Sequence, residues 1–396
     1  LKTRDFVSFE KIFTKKNLIS IKEIIYLNNM FVFFIHSKHN FYIEIFNLCS
    51  CKMIKDKNQY NLCDINDSCY MEIVNHVPLK DKLIFYSSSF TNKHKIYELI
   101  LDKTEQVSIN QINNNNYFSL KHSHNYTNNF VEKVIFLKNN SIVITQLYKK
   151  GLKLNNCKCL LYGYGSYGDV YDSKYNINKL LYLCEQGFLI IISHISGDGR
   201  LGFSQYKNGM LMNKKNTFTD FIYIIEEYLF KHDITSKDKL AIWGRSAGGL
   251  LIGSVLNMRP DICNLAILGV PFISPVLTMS SKKNPLGFES HSEWGNPLNK
   301  LEHDYIQSYS PYQNIKPCGN YPNMFIYSNL NDTLVPYKEP YMYYKKMVNT
   351  VNVYKEGQKD ILLHIEDKFG HSQGSASSDY LKTISTIYAT IEKYIK

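Results

Sequence analysis

Three residues far apart along this chain could together turn an alcohol into a nucleophile: Ser246, Asp332 and His371. Ser246 stands in Gly244-Arg245-Ser246-Ala247-Gly248, entered by the apolar run Leu240 to Trp243 and left by the apolar pattern Leu250 to Gly253. A Gly-x-Ser-x-Gly between a strand and a helix is the sequence form of a strained turn that holds a serine hydroxyl exposed at a sheet edge. Gly244 and Gly248 suit that turn, because a side chain at either would clash where strand and helix approach. The motif by itself is weak; the strand before it and the helix after it give it weight. A serine there is still inert without a base, and without an acid that orients the base.

The chain supplies both in the order Ser, Asp, His. Asp332 lies in Asn329-Leu330-Asn331-Asp332-Thr333-Leu334-Val335-Pro336, just beyond an expected strand ending at Ser328. A turn or cap aspartate is the plain alternative there. His371 lies in Glu366-Asp367-Lys368-Phe369-Gly370-His371-Ser372, after the last expected strand. The histidine would take the serine proton and return it to the leaving group, and the aspartate would hold the imidazole tautomer. A tetrahedral intermediate also needs donors for its oxyanion. One would be the backbone N–H of Ala247; the other would come from the loop Tyr162-Gly163-Tyr164-Gly165-Ser166-Tyr167-Gly168, unless that loop only packs.

The elements that must position these groups follow from the pattern. From about Val131 onward apolar runs alternate with helical periodicity, the signature of an α/β layer fold. Strands are expected at Ser141 to Tyr148, Cys157 to Tyr162, Phe188 to His194, Lys239 to Trp243, Leu265 to Val270, Met324 to Ser328 and Ile361 to Ile365. Helices are expected at Thr219 to His232, Leu251 to Met258, Tyr341 to Asn349 and Asp379 to Ile395. Before Asn125 the chain reads as short strands and turns: Ile21 to Leu27, Met30 to His36, a Lys38-His39-Asn40 turn, Phe41 to Leu48, then Leu83 to Phe90, a Thr91 to His94 turn, and Lys95 to Leu101. That is an antiparallel meander of the kind that forms propeller blades, with room for only two or three of them. The expected fold class is therefore an α/β-hydrolase domain at 126–396 preceded by a partial, β-propeller-like all-β region at 1–125.

Composition excludes other classes. The 396 residues carry a formal charge of +11, yet only four arginines contribute, at positions 4, 200, 245 and 259, and the lysines are scattered. Nucleic-acid readers favour the bidentate fork of arginine on one face, so neither a nucleic acid nor a membrane is expected as partner. The nine cysteines are odd in number, and Cys49/Cys51 and Cys157/Cys159 lack partners at metal-site spacing. No disulfide framework, metal or cofactor is expected, and Cys184 and Cys263 read as core residues. The opening residues are not a signal peptide and no run reaches membrane-spanning length, so a cytoplasmic location is expected. The chain starts at Leu1 and holds too few blades to close a propeller, so an N-terminally incomplete chain is expected.

Several stretches together resemble the oligopeptidase B branch of the prolyl oligopeptidase family of serine peptidases (S9). They are Leu161 to Gly168, Asn216-Thr217-Phe218-Thr219-Asp220-Phe221, Gly244-Arg245-Ser246-Ala247-Gly248-Gly249, Asn257 to Asp261, Glu293-Trp294-Gly295-Asn296-Pro297 and Ser308-Tyr309-Ser310-Pro311. The resemblance implies a serine-type endopeptidase for short peptides, with Ser246 as nucleophile, Asp332 as acid, His371 as base and the Tyr164 hydroxyl as the second oxyanion donor. It also implies departures. Leu334 stands where the family carries a substrate-anchoring arginine, and Ser290 and Ser292 stand where oligopeptidase B carries the carboxylates that select a basic side chain. Asp172 survives from a second acidic pair whose other member is Lys174, and Ser196 to Gly202 replaces an Arg-Gly-Gly-x-Glu-Leu-Gly stretch. The substrate-binding carboxylates left by this match are Asp172, Glu289 and Glu293. Losing an unpaired carboxylate weakens attraction for a basic side chain. An esterase or acylaminoacyl hydrolase with the same triad, and a degenerate paralogue without activity, are the competing expectations.

Overall fold

The computed structural model describes residues 20–28, 30–36, 41–47, 52–54, 70–73, 82–91, 95–101, 107–112, 129–171, 180–281, 286, 290–317, 320–351, 359–367, 369–371 and 378–396. The turns expected at 38–40 and 92–94 lie outside them, as do Asp172, Lys174 and Glu289. Contacts divide the chain into two compact units, the first of residues 1–134 with 172–177 and 201–203 and the second of the rest, so that the strand at 130–137 begins in the first and ends in the second.

The first unit is all β. Strands β1 (Ser20–Leu27), β2 (Met30–His36), β3 (Phe41–Asn47) and β4 (Lys52–Ile54) form one sheet in chain order. Strands β5 (Tyr70–Ile73), β6 (Lys82–Ser88), β7 (Lys95–Leu101) and β8 (Val107–Ile112) form a second in the same way. Neighbours pair antiparallel throughout, which is the blade form the alternating pattern requires. The two sheets bury one shared core, in which Val32, Phe34 and Ile45 meet Leu83, Phe85 and Leu99. Phe34 and Phe85 cross edge to face with centroids 5.4 Å apart. The Asn28 side chain, at a left-handed turn residue, donates to the Leu101 carbonyl at 2.7 Å and ties one sheet to the other.

The second unit is built on an eight-stranded sheet. Its strands are β9 (Phe130–Leu137), β10 (Ile142–Lys149), β11 (Lys158–Tyr162), β12 (Phe188–His194), β13 (Leu240–Arg245), β14 (Leu265–Gly269), β15 (Asn323–Asn329) and β16 (Ile361–Glu366), in the spatial order β16-β15-β14-β13-β11-β12-β10-β9. From β12 to β16 every neighbouring pair is parallel. All seven residues of β12 and of β15 are buried, as expected of strands covered on both faces by crossover helices. Because β11 is followed in sequence by β12 on one side and then by β13 on the other, the strand order reverses there. In open parallel sheets the crevice outside the carboxyl ends of the strands at such a reversal is where ligands bind.

Helices run over these strands. The segment after β13 is the helix Ala247–Met258, buried from Ala247 to Asn257. The amphipathic helix expected at 219–232 instead starts earlier, at Lys215, and runs as an α-helix to Tyr223. It then continues as a π-helix over Ile224–Phe230, closed by a bond from Lys231 N–H to the Glu226 carbonyl at 3.1 Å. The wider turn keeps Ile224 and Leu229, five residues apart, both buried, a register that a search for helical period alone does not reveal. Cys184 and Cys263 are buried free thiols whose pKa burial drives up. No helix among the described residues is long and apolar enough to cross a membrane.

Candidate active site

Ser246 sits between the end of β13 and its helix, with φ 56° and ψ −117°. Such a backbone costs on the order of 1–3 kcal/mol for a residue with a side chain, so the surroundings must hold it. They do so through bonds to both sides of the peptide. Ser246 N–H donates to the Gly269 carbonyl at 2.8 Å, and its own carbonyl accepts from Gly249 N–H at 2.8 Å and Phe272 N–H at 3.1 Å. The flanking glycines leave no room for anything larger. A Cβ on Gly244 would lie 2.1 Å from the Gly248 carbonyl oxygen, and one on Gly248 would lie 2.5 Å from the Gly163 carbonyl oxygen.

The parallel strands deliver two further residues to the same edge. Asp332 follows β15, and His371 follows β16. His371 Nδ1 lies 2.7 Å from Asp332 Oδ2, and His371 Nε2 lies 3.0 Å from Ser246 Oγ. The Asp332 carboxylate is fully buried, and its other oxygen accepts from Leu334 N–H at 2.9 Å and Val335 N–H at 2.8 Å. A buried carboxylate with these donors is an acceptor, so Nδ1 carries the proton and donates to it. That tautomer leaves Nε2 with a lone pair facing the Ser246 hydroxyl.

Bonds that the sequence reading missed fix the histidine loop. Arg245, next to the serine, donates from Nη2 to the His371 carbonyl. Asn329, the last residue of β15, donates to the Gly370 carbonyl at 2.8 Å, and Asn331 donates to the Asp367 carbonyl at 2.6 Å. These side chains carry no spacing signal, because they act on carbonyls 36 to 126 residues away.

Across the strand reversal, the loop after β11 lies against the helix that leaves Ser246. The site of a Cβ on Gly248 is 3.4 Å from Tyr164 Cα and 3.5 Å from Tyr164 Cδ2. Burial, followed by the charge of Asp169, pushes the Tyr164 phenol pKa up, so it stays a donor at neutral pH. Ala247, the first residue of its helix, has an N–H without an intrahelical acceptor.

Glu293, expected as a substrate-binding carboxylate, lies buried in an ion pair within the chain. It is 1% exposed, and its Oε1 lies 3.3 Å from the Lys214 ammonium, itself 1% exposed. Its neutralising cation therefore comes from within the chain. Ser290 is also buried, whereas Leu334 is exposed beside Asp332.

A mostly parallel sheet of this order, with a serine on a strained strand-to-helix turn at its edge, defines an α/β-hydrolase fold. The family model described as the prolyl oligopeptidase family matches residues 174–396, and the chain belongs to that family. Protease 2 of Moraxella lacunata is 34% identical over 251 residues, covering 63% of this chain and 35% of that protein. Dipeptidyl aminopeptidase BI of Pseudoxanthomonas mexicana is 40% identical over 207 residues, covering 52% of this chain and 28% of its own. Oligopeptidase B from Leishmania major superposes with a TM-score of 0.78 at 26% identity, over 95% of this chain and 52% of that structure. Oligopeptidase B from Trypanosoma brucei, with covalently bound antipain, gives 0.80 at 26% identity over 96% and 53%. The chain thus spans about a third of the length of these curated relatives and about half of the solved structures.

Proposed function

We propose that this chain is the catalytic part of a serine oligopeptidase, with 126–396 as its hydrolase domain and 1–125 as propeller blades. The observation that carries the reading is His371 held between Ser246 at 3.0 Å and Asp332 at 2.7 Å. Ser246 Oγ attacks the scissile carbonyl carbon while its proton passes to His371 Nε2, and Asp332 stabilises the imidazolium. The oxyanion accepts hydrogen bonds from Ala247 N–H and the Tyr164 hydroxyl. As the intermediate collapses, His371 returns the proton to the departing amine, leaving an acyl-enzyme on Ser246. Water, deprotonated by His371, then attacks the acyl carbon and frees the serine.

Selection of a basic side chain requires a carboxylate free to face it. Glu293 is paired with Lys214, and Ser290 and Ser292 stand at the positions where the resemblance implies selecting carboxylates. The substrate class we infer is therefore short peptides without a strict demand for Arg or Lys.

Labelling with a fluorophosphonate tests the reading, because only an activated serine reacts. We expect one label per chain, none in the Ser246→Ala variant, and hydrolysis of peptide amides by the parent chain. No labelling, or equal labelling of Ser246→Ala, sinks the peptidase reading; cleavage of acyl esters without any cleavage of amides turns it into an esterase. Tyr164→Phe is expected to lower kcat by about 10²–10³ with little change in KM, the typical cost of one oxyanion donor. A loss below about threefold removes Tyr164 from that role.

A further inference from the structure

The loop that carries Tyr164 does not hold itself. Gly165 and Tyr167 both take left-handed backbone, at φ +67° and 61°. What reaches into it is Lys214, from the turn just before the helix Lys215–Tyr223. The Lys214 ammonium donates to the Gly165 carbonyl at 2.8 Å and to Ser166 Oγ at 2.7 Å, with Glu293 Oε1 at 3.3 Å. The same ammonium lies 4.5 Å from the centre of the Trp294 ring, and Trp294 Nε1 donates to the Tyr167 hydroxyl at 2.8 Å. One buried cation thus ties residues 165 and 166 directly, and residue 167 through the indole, to the helix Ser290–Trp294.

We propose that Lys214 is a positioning residue, whose buried ammonium, balanced by Glu293, fixes the 164–167 loop so that the Tyr164 hydroxyl meets the oxyanion. The inference rests on the reading of Tyr164 as an oxyanion donor. Stability does not explain the pair. Burial pulls the Lys214 pKa down to about 8 even though Glu293 pulls it back up, so the charge is held at a cost. Apolar residues of similar volume commonly replace a buried ion pair with no loss of stability. They cannot supply directional bonds to a carbonyl and a hydroxyl in a loop of left-handed residues.

The cost has a sign that can be measured. Lys214 binds its proton less tightly folded than unfolded, so its contribution to stability rises as pH passes from about 8 towards 10.5. The charged hold on the loop is lost as pH rises through about 8. The titratable groups about it are Glu293 and His291 on the helix Ser290–Trp294, Tyr164, Tyr167 and Asp169 on the loop, Tyr206, and Tyr305 and Tyr309 with Lys215 beyond. Burial pushes the phenols of Tyr164, Tyr206 and Tyr309 far up, and that of Tyr167 to about 12, so none of these four titrates near 8.

The test is a double-mutant cycle between the Lys214→Met/Glu293→Gln pair and Tyr164→Phe, read by hydrolysis of an acyl p-nitrophenyl ester. Removing both charges avoids leaving one buried alone. We expect the pair to lose at least about 30-fold in kcat, with KM within threefold and the melting temperature near that of the parent. In the Tyr164→Phe background the further loss should shrink to less than about threefold, because residues that act through one another do not add. Losses that multiply, or an unchanged kcat, overturn the proposal. A second readout is independent of activity. In a Trp243→Phe chain, Trp294 emission should change with a midpoint near pH 8, and the change should vanish in the Lys214→Met/Glu293→Gln variant. Its persistence there, or its absence from the parent, also overturns the proposal. A parent chain that fluorophosphonate does not label instead refutes the reading of Ser246, and the emission titration still reports whether Lys214 holds the loop.

Discussion

His371→Ala is expected to lower kcat for an acyl p-nitrophenyl ester by about 10⁵–10⁶, the size of loss seen when the base of a serine-histidine-aspartate unit is removed. The only base within reach of the Ser246 hydroxyl among the described residues is His371 Nε2, at 3.0 Å. Asp332→Asn should cost about 10⁴ through a different route, since an amide at 2.7 Å from Nδ1 can present its N–H and favour the wrong tautomer. Combining either change with Ser246→Ala should cost little more than the worse single variant, as is expected of three groups proposed to act as one unit. Steady-state kinetics on purified variants, with fluorophosphonate labelling in parallel, separates these outcomes. Retention of a tenth of the parent rate by His371→Ala would remove the histidine from its proposed role.

A large structural effect is expected from Gly244→Ala. Its new Cβ would sit 2.1 Å from a backbone oxygen, that of Gly248, and 2.9 Å from Ile252 Cγ1. The Gly248 backbone cannot yield without moving the first turn of the helix Ala247–Met258, which is buried along almost its whole length. We expect a loss of at least about 3 kcal/mol, at the upper end of what overpacking costs. Gly370→Ala is the matched comparison: among the described residues its Cβ would meet only the Asn331 carbonyl oxygen, at 3.5 Å, an ordinary contact. Denaturant midpoints of the two variants and the parent should show the first far below and the second close to the parent. Equal midpoints would mean that the turn at Ser246 is not rigid.

The positions of Arg245 and Asn329 show how the site is organised beyond its reacting groups. Both side chains bind main-chain carbonyls of the loop that bears His371. His371 is held by its backbone as well as by the Asp332 carboxylate, so its ring stays in line with Ser246. That arrangement suits proton transfer, which is steeply sensitive to placement.

The residues alone determined a good deal. The run of β12 opens with five apolar residues, Phe188 to Ile192, and its predicted span matches the strand to the residue. Gly244 and Gly248 marked the turn because the exclusion of a side chain is a local property that two sequence positions express. The chain order of Ser246, Asp332 and His371 followed from parallel strands opening towards one edge. What the sequence did not carry was pairing across space. Glu293 reads as an available carboxylate until the fold brings Lys214 to 3.3 Å from it and shuts both away from water. Lys214 and Lys215 are adjacent and identical in the sequence, yet one is buried at the core of a loop and the other is not. Hydrophobic period reports which face of an element is covered. It cannot report which charged group meets which, because that depends on distances between segments that only tertiary packing sets.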